Sequence, residues 1–367
     1  MRGRYPNLGG KSKLGEAAML DRIRARAAAS STSARLAGVR LGIGDDCALL
    51  GLRSGEEAAV TTDLSLTNRH FRLDWHSPEV VGYRALARGL SDLAAMGARP
   101  VAAFLSLGLP PELTRARGGG LSWPGGKSSW RGSKSSWIDR FYEGFLALAG
   151  AHGTPLAGGD LAESPVALAD VVLVGAVRRG RALLRSGASA GHLLYVTGSL
   201  GGAAVGLDRL AALAAANKRP GPPRIPARLK AVLAPHLAPE PRLAQGLFLA
   251  RRGPDGRGLA SAAIDLSDGL STDLAHLCAE SGVAAEIDAA ALPLYPGATL
   301  AQALHGGEDY ELLFTAAATV RLPHAIAGVP VTCIGRVLAR RAGRPAITLR
   351  TEKGREPLEP QGWQHFG

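Results

Sequence analysis

The residues in this sequence whose type and placement could do chemistry are carboxylates. Six acidic spots sit at the ends of apolar runs and beside small residues: Gly44-Asp45-Asp46, Thr61-Thr62-Asp63, Leu90-Ser91-Asp92, Gly158-Gly159-Asp160, Asp265-Leu266-Ser267-Asp268 and Gly306-Gly307-Glu308-Asp309. Small neighbours let a backbone approach a ligand closely. A carboxylate at such a bend suits a hard cation, which takes oxygen ligands. Magnesium in particular keeps several waters and is shared between carboxylates and the phosphates of a nucleotide. Each spot also has a plainer reading. Gly-Asp is commonly a turn, and Ser-Asp or Thr-Asp before a helix is commonly an N-cap. Spacing alone does not show that the six converge, so a metal site and a set of unrelated turns both stand at this point.

Other phosphate-binding signatures fail on inspection. Gly125-Gly126-Lys127-Ser128 ends like a P-loop, but Leu121 stands where the first glycine is required. Gly9-Gly10-Lys11-Ser12 fails in the same way at Tyr5. Neither follows a predicted strand. Gly42-Ile43-Gly44 opens a dinucleotide fingerprint that Cys47 then breaks.

The elements that must position these carboxylates fall into two strand-and-helix series. In the first, a helix is predicted over 15–29, strands over 39–50, 58–63, 101–109 and 166–177, and helices over 77–96 and 138–151. Ser77-Pro78-Glu79 starts the second of these helices well, with proline at N1 and an acid in the first turn. In the second series, strands are predicted over 193–197, 284–288 and 311–315, with helices over 203–213 and 270–281. The series meet near Arg179 to Arg185. A chain of 367 residues has room for two domains, so the reading is 14–180 and 181–367.

Composition sets the class. Hydrophobic residues make up 46% and charged residues 20%, which excludes a disordered chain. Three scattered cysteines match no metal spacing and imply a reducing compartment, hence the cytoplasm. No apolar run is long enough to span a bilayer. The net charge of +12 raises a nucleic-acid reading, but it is localised. Residues 1–40 carry nine Lys/Arg against Glu16 and Asp21, and residues 112–140 carry six against Glu112 and Asp139. Such clusters do not form the basic stripe with stacking aromatics that nucleic acid requires. Residues 1–13 read as a flexible basic arm. Residues 115–137 hold a seven-residue Ser-Trp repeat among Gly, Ser and Lys and read as a surface insertion, since Gly and Pro forbid a coiled coil there.

Taken together, the motifs resemble the thiamine-monophosphate kinase family, of the superfamily that includes aminoimidazole ribonucleotide synthetase. The matching stretches are Leu-Gly-Ile-Gly-Asp-Asp-Cys-Ala-Leu-Leu (41–50), Thr-Thr-Asp (61–63) with Asn68 to Phe71, and Leu-Ser-Asp-Leu-Ala-Ala-Met-Gly-Ala (90–98). Gly-Gly-Asp (158–160), Arg185-Ser186-Gly187, Ala-Ile-Asp-Leu-Ser-Asp-Gly-Leu (263–270), Gly-Gly-Glu-Asp-Tyr-Glu-Leu (306–312) and Gly-Trp-Gln-His-Phe (362–366) follow in family order. The resemblance implies an α+β fold of two α/β domains, the N-terminal one supplying a sheet to a homodimer interface. It implies phosphoryl transfer from ATP to thiamine monophosphate with several magnesium ions, and no membrane or nucleic-acid partner. Carried over by position, Asp46, Thr61, Thr62, Asp63, Asp92, Asp160, Asp265 and Asp268 match the metal site. Gly159, Asp160, Arg185 and Ser267 match nucleotide-binding positions, and His70, Glu308 and Trp363 match thiamine-phosphate positions. No general base is expected, because the acceptor is already a phosphate anion. Three segments lie outside the pattern: the basic arm, the 115–137 insertion, and the Pro/Arg-rich loop from Lys218 to Arg228. The alternatives are another synthetase of the superfamily and a non-catalytic ATP- and magnesium-binding regulator.

Overall fold

The computed structural model describes residues 21–23, 25–27, 38–43, 47–114, 136–253, 256 and 258–363. Asp46, the basic arm and residues 115–135 of the insertion lie outside the described residues. The architecture is mixed α+β and mostly antiparallel. A four-stranded sheet is built from β3 (Glu56–Leu66), β4 (Arg99–Leu109), β5 (Leu156–Glu163) and β6 (Leu168–Arg178), in the order β3-β6-β4-β5. Before it, β1 (Val39–Leu41) and β2 (Leu49–Leu50) form a small antiparallel pair, where one strand over 39–50 was predicted. Strand β5 has no counterpart among the predicted elements, where Gly158-Gly159-Asp160 stands as either a turn or a cation-holding bend. It is an edge strand paired in parallel with β4, and that long-range pairing overrides local turn chemistry.

Helix α1 (Pro78–Ala95) lies on the inner face of this sheet and is buried on nearly every side. Leu86, Leu90 and Leu93 are essentially inaccessible, each contributing roughly 1.5–3 kcal/mol of burial. Ser77 occupies the N-cap position with extended backbone, though its hydroxyl makes no capping bond. Helix α2 (Trp137–Ala151) crosses α1 in backbone contact. A Cβ at Gly82 would fall 2.0 Å from the Phe141 carbonyl oxygen, and one at Gly144 would fall 1.9 Å from that of Glu79. The predicted insertion therefore ends earlier than 137. Ser136 caps α2 in a reciprocal box with Asp139, and Trp137 stacks on Phe141 at 5.4 Å. Two of the basic residues near the N-terminus are spent here, since Arg22 and Arg26 pair with Asp139.

The second half holds an eight-stranded sheet. Its strands are β7 (Leu193–Thr197), β8 (Ala262–Asp265), β9 (Val283–Asp288), β10 (Leu312–Ala316), β11 (Ala325–Ile326), β12 (Val329–Ala339), β13 (Ile347–Thr351) and β14 (Gly354–Pro357). The order is β14-β13-β9-β12-β7-β10-β8, with β11 hairpinned onto β12. The helices are α3 (Gly202–Ala216), α4 (Lys230–Leu237), α5 (Leu243–Leu249), α6 (Leu270–Ser281) and α7 (Leu300–His305). The halves share a hydrophobic core, for Leu249, Ala263, Leu312 and Phe314 join the cluster around α1. Among the described residues, no helix is long and apolar enough to cross a membrane.

Candidate active site

A cleft of about 500 Å³ opens between the two halves. Eight residues singled out in the sequence line it: Asp63, His70, Asp92, Asp265, Ser267, Asp268, Glu308 and Trp363. They arrive from six places: strand β3, the loop after it, helix α1, the turn from β8 into α6, the loop between α7 and β10, and the C-terminal segment. Backbone strain concentrates here. Of the four non-glycine residues with positive φ among the described residues, Asn68, Glu308 and Tyr310 line the cleft.

One end of the cleft is acidic. Burial pushes the Asp63 carboxyl up to about 6, reinforced by Asp92 and opposed by Arg88, whose guanidinium lies 3.4 Å away. Burial also raises Asp92, against a hydrogen bond donated by the Thr61 hydroxyl. Asp265 is raised well above the usual carboxylate range, by burial and then by the charge of Asp92, against a hydrogen bond from the Ser91 hydroxyl, which donates to Oδ2 at 2.7 Å. The turn carrying Asp268 is held from behind. Asp273 accepts the backbone N–H groups of Asp268 and Gly269 at 3.1 and 3.0 Å. The C-terminal segment closes on the same turn. The Trp363 N–H donates to the Asp268 carbonyl at 3.0 Å, and Gly362 permits it, since a Cβ there would sit 2.0 Å from that oxygen.

The other end is built around one fixed carboxylate. Arg84 donates to Glu308 at 2.6 Å, and the His236 ring lies 3.5 Å from the second oxygen. Burial alone would raise the Glu308 carboxyl; Arg84 and His236 outweigh it and hold it well below the usual carboxylate range. His76 supports His236 in turn. His76 Nδ1 lies 3.1 Å from the Arg72 N–H nitrogen and 3.2 Å from the Arg72 carbonyl oxygen, and its Nε2 lies 3.1 Å from His236 Nε2. His236 Nδ1 faces both Glu308 and the Arg84 guanidinium, 3.0 Å away. Burial depresses both imidazoles, His76 to about 3, so the pair stays neutral. His70 accepts the Leu66 N–H at Nδ1, and its carbonyl accepts from Arg84. Trp75 and Phe71 add aromatic walls to the cleft, and Trp363 lines it beside the Asp268 turn.

Not every expected residue arrives. Thr62 alternates with Thr61 and Asp63 and points to the outer face of the sheet, beside Val60 and Leu64. The register Leu64–Asp170–Ser106–Asp160 carries Asp160 onto that same outer face, where it is exposed. Gly159 and Arg185 do not line the cleft, although the Arg185 charge reaches Asp92 and Asp273 and opposes the rise of both. Among the described residues, no three His, Cys, Asp or Glu side chains are placed to hold one ion by themselves. The donors nonetheless fit a magnesium ion. They are all oxygen, they raise one another's pKa, and Asp63 Oδ2 is buried without a hydrogen-bond partner among the described residues. An ion shared with phosphate and water needs only one or two of them.

The sequence reading missed Arg84, Arg88, Trp75, His236 and Tyr310. A signal for the first two was present. Arg84, Arg88 and Asp92 recur every four residues along a mostly apolar helix, which puts three charges on one stripe of a buried helix. His236 has no such signal, because its partners lie about 150 residues away or more, apart from Glu308. Asp309, read as part of an acidic motif, instead caps α3 through the N–H groups of Gly201 and Ala203 at 2.6 and 2.9 Å.

Comparison with known proteins places this geometry. Residues 44–177 match the family model described as AIR synthase related protein, N-terminal domain. Thiamine-monophosphate kinase of Escherichia coli (strain K12) is 37% identical over 345 residues, 89% of this chain and 92% of the relative. The crystal structure of thiamine-monophosphate kinase from Stenotrophomonas maltophilia superposes with a TM-score of 0.71 at 36% identity, over 91% of this chain and 96% of that one. AaThiL complexed with AMPPCP and TMP superposes with a TM-score of 0.67 at 28% identity, over 98% and 100% of the two chains.

Proposed function

The chain belongs to the thiamine-monophosphate kinase family, and on that premise we propose that it transfers the γ-phosphoryl group of ATP directly to the phosphate of thiamine monophosphate, giving thiamine diphosphate and ADP. The observation that carries the reading is one cleft whose lining combines the carboxylates of Asp63, Asp92, Asp265 and Asp268 with Glu308 and the aromatic face of Trp363. AaThiL is complexed with AMPPCP and TMP, two ligands whose chemistry suits such a lining.

The acceptor oxygen is anionic at neutral pH, so no general base is required. The barrier lies in bringing two polyanions together: unit charges ~5 Å apart repel by roughly 3 kcal/mol at an effective dielectric of ~20. Magnesium, when bound, supplies the charge neutralisation that such a transfer needs. Asp63, Asp92, Asp265 and Asp268 are the residues that would hold it. Asp46, Thr62 and Asp160 enter that set by resemblance only. Ser267 and Arg185 serve the nucleotide. Glu308 accepts hydrogen bonds from the aminopyrimidine, and Trp363, 47% exposed, offers a stacking face for a flat cation.

The reading extends to assembly and location. The outer face of the four-stranded sheet exposes Val60 at 62% and Leu64 at 45%, beside half-buried Val172, Val174 and Phe104. A face of that character supports a homodimer formed sheet to sheet. Cys47, Cys278 and Cys333 are free thiols, in keeping with a cytoplasmic enzyme.

An ADP-release assay with thiamine phosphate against free thiamine, with and without magnesium, tests the proposal. Turnover only with the phosphate and the metal is expected. Turnover with thiamine alone, or retention of configuration at a chiral γ-phosphate, would contradict direct transfer to a phosphate acceptor.

A further inference from the structure

We propose that Arg88 is the residue that grips the phosphate of the acceptor substrate. The inference rests on the proposed kinase reaction and adds to it a binding role for a side chain that the family motifs do not mark. Arg88 lies in α1, one turn after Arg84 and one turn before Asp92, and lines the cleft. Its surroundings are divided. One amino group, Nη2, faces Asp63 Oδ1 at 3.4 Å, a loose contact for a charge-assisted pair. The other, Nη1, is buried and has no hydrogen-bond partner among the described residues. A buried guanidinium nitrogen without an acceptor is costly unless a ligand supplies one.

The position of Arg88 identifies that ligand group. Its charge interacts with Tyr310, Asp63, Glu308 and Asp92, all of which line the same cleft. It therefore lies within reach both of the aspartates and of Glu308. Arg84 cannot take its place, because its guanidinium is already committed to Glu308, to the His236 carbonyl and to the His70 carbonyl. If the organic cation of the substrate lies against Glu308, and the nucleotide phosphates lie against the carboxylates of Asp63, Asp92 and Asp265, the acceptor phosphate falls between them. That is where Nη1 lacks an acceptor. A planar guanidinium suits a phosphate that must present one oxygen for attack while others are held. Holding it also offsets part of the repulsion between acceptor and donor phosphates, beside the acidic end where that repulsion is greatest.

Calorimetric binding to the full chain in magnesium buffer, without nucleotide, tests this with thiamine phosphate and free thiamine as the two probes. Arg88→Met keeps the aliphatic stem and removes the fork. The expected result is a fall in thiamine-phosphate affinity of about 30-fold, with thiamine affinity unchanged within about twofold. Millimolar guanidinium ion should restore part of the turnover of the variant, which a purely structural role would not allow. An equal loss for both ligands, or an effect confined to the KM for ATP, would overturn the assignment. Wild-type protein that binds neither probe overturns the kinase reading and this inference together. Wild-type protein that prefers the phosphate, with Arg88→Met showing the same preference, overturns this inference alone. Should Arg88→Met fail to fold, Arg88→Lys gives the same reading: it retains the charge without the fork, and the phosphate preference should drop several-fold.

Discussion

Ser91 and Asp265 hold the acidic end of the cleft together. The hydroxyl of Ser91, on α1 of the first half, donates at 2.7 Å to a carboxylate at the end of β8 in the second. Both side chains are buried, and this bond is the main influence pulling the Asp265 carboxyl back down against burial and the charge of Asp92. Ser91→Ala should therefore raise the Asp265 pKa further, and the acid limb of kcat/KM should move to higher pH. In the wild type that limb should lie above the ordinary carboxylate range, since Asp63, at about 6, and Asp265 both ionise above it. A pH profile of the variant that overlays the wild type would mean that Asp265 does not control the site.

The same burial makes Asp265 a cost to the metal-free fold. Its folded pKa lies above the unfolded value, so the folded state binds the proton more tightly and ionisation opposes folding. Metal-free stability should fall as pH rises from the ordinary carboxylate range through the raised folded value. Asp265→Asn keeps the Ser91 bond and removes the charge. Its Tm without magnesium should exceed the wild type at neutral pH and vary less with pH, while its turnover collapses. A lower Tm for the variant at neutral pH would refute this account.

Asp63→Asn and Asp268→Asn probe the carboxylate end without changing side-chain volume. Each should lower turnover by at least about 100-fold, about 2.7 kcal/mol of barrier. Trp363→Ala should act on the KM for thiamine phosphate and leave kcat largely intact. Near-normal rates for both Asn variants at limiting magnesium would show that these carboxylates hold no metal.

Glu308 is held by partners that lose their purpose without its charge. Glu308→Gln leaves Arg84 buried beside a neutral amide, and breaking a buried pair in this way typically costs about 3 kcal/mol or more. The variant should unfold at lower urea and show a thiamine-phosphate KM raised at least about tenfold. Unchanged urea midpoints would mean that the Arg84 pair is structurally idle.

What could be read from the sequence depended on whether the deciding interactions were local. Helix α6 has the predicted bounds because Gly269 and Gly282 punctuate it on either side, and β7 because an apolar run ends at Gly198. Strand β5 was lost because Gly158 and Gly159 look like a turn until β4 pairs with them. Asp309 stood only as part of an acidic motif for the same kind of reason: its role as a cap for α3 depends on residues more than a hundred positions earlier. The charge on a motif was legible, but the face it occupies was not. Thr61 and Thr62 are adjacent in sequence and lie on opposite faces of one sheet.

The end of the insertion yields a further prediction, and it turns on a single residue. Residues 115–135 are rich in Gly, Ser and Lys, with tryptophans too few to make a core of their own. Ser136 follows the same Ser-Trp repeat in sequence but behaves differently in the fold. It is 1% exposed, its hydroxyl accepts the Asp139 N–H, and Asp139 accepts the Ser136 N–H at 3.0 Å in return. Asp139 also anchors Arg22 and Arg26, so the cap joins the N-terminal helical segment to α2. Replacing residues 116–135 with a short Gly-Ser linker should leave turnover within about threefold, under ~0.7 kcal/mol of barrier. Extending the replacement by one residue, so that Ser136 becomes Gly, removes the hydroxyl that caps the helix. Ser136→Ala in the full chain should cost about 1 kcal/mol of stability with turnover unchanged. Urea unfolding of the two linker variants and Ser136→Ala separates the contributions. A large rise in the KM for ATP on removing 116–135 alone would show instead that these tryptophans and lysines contact the nucleotide.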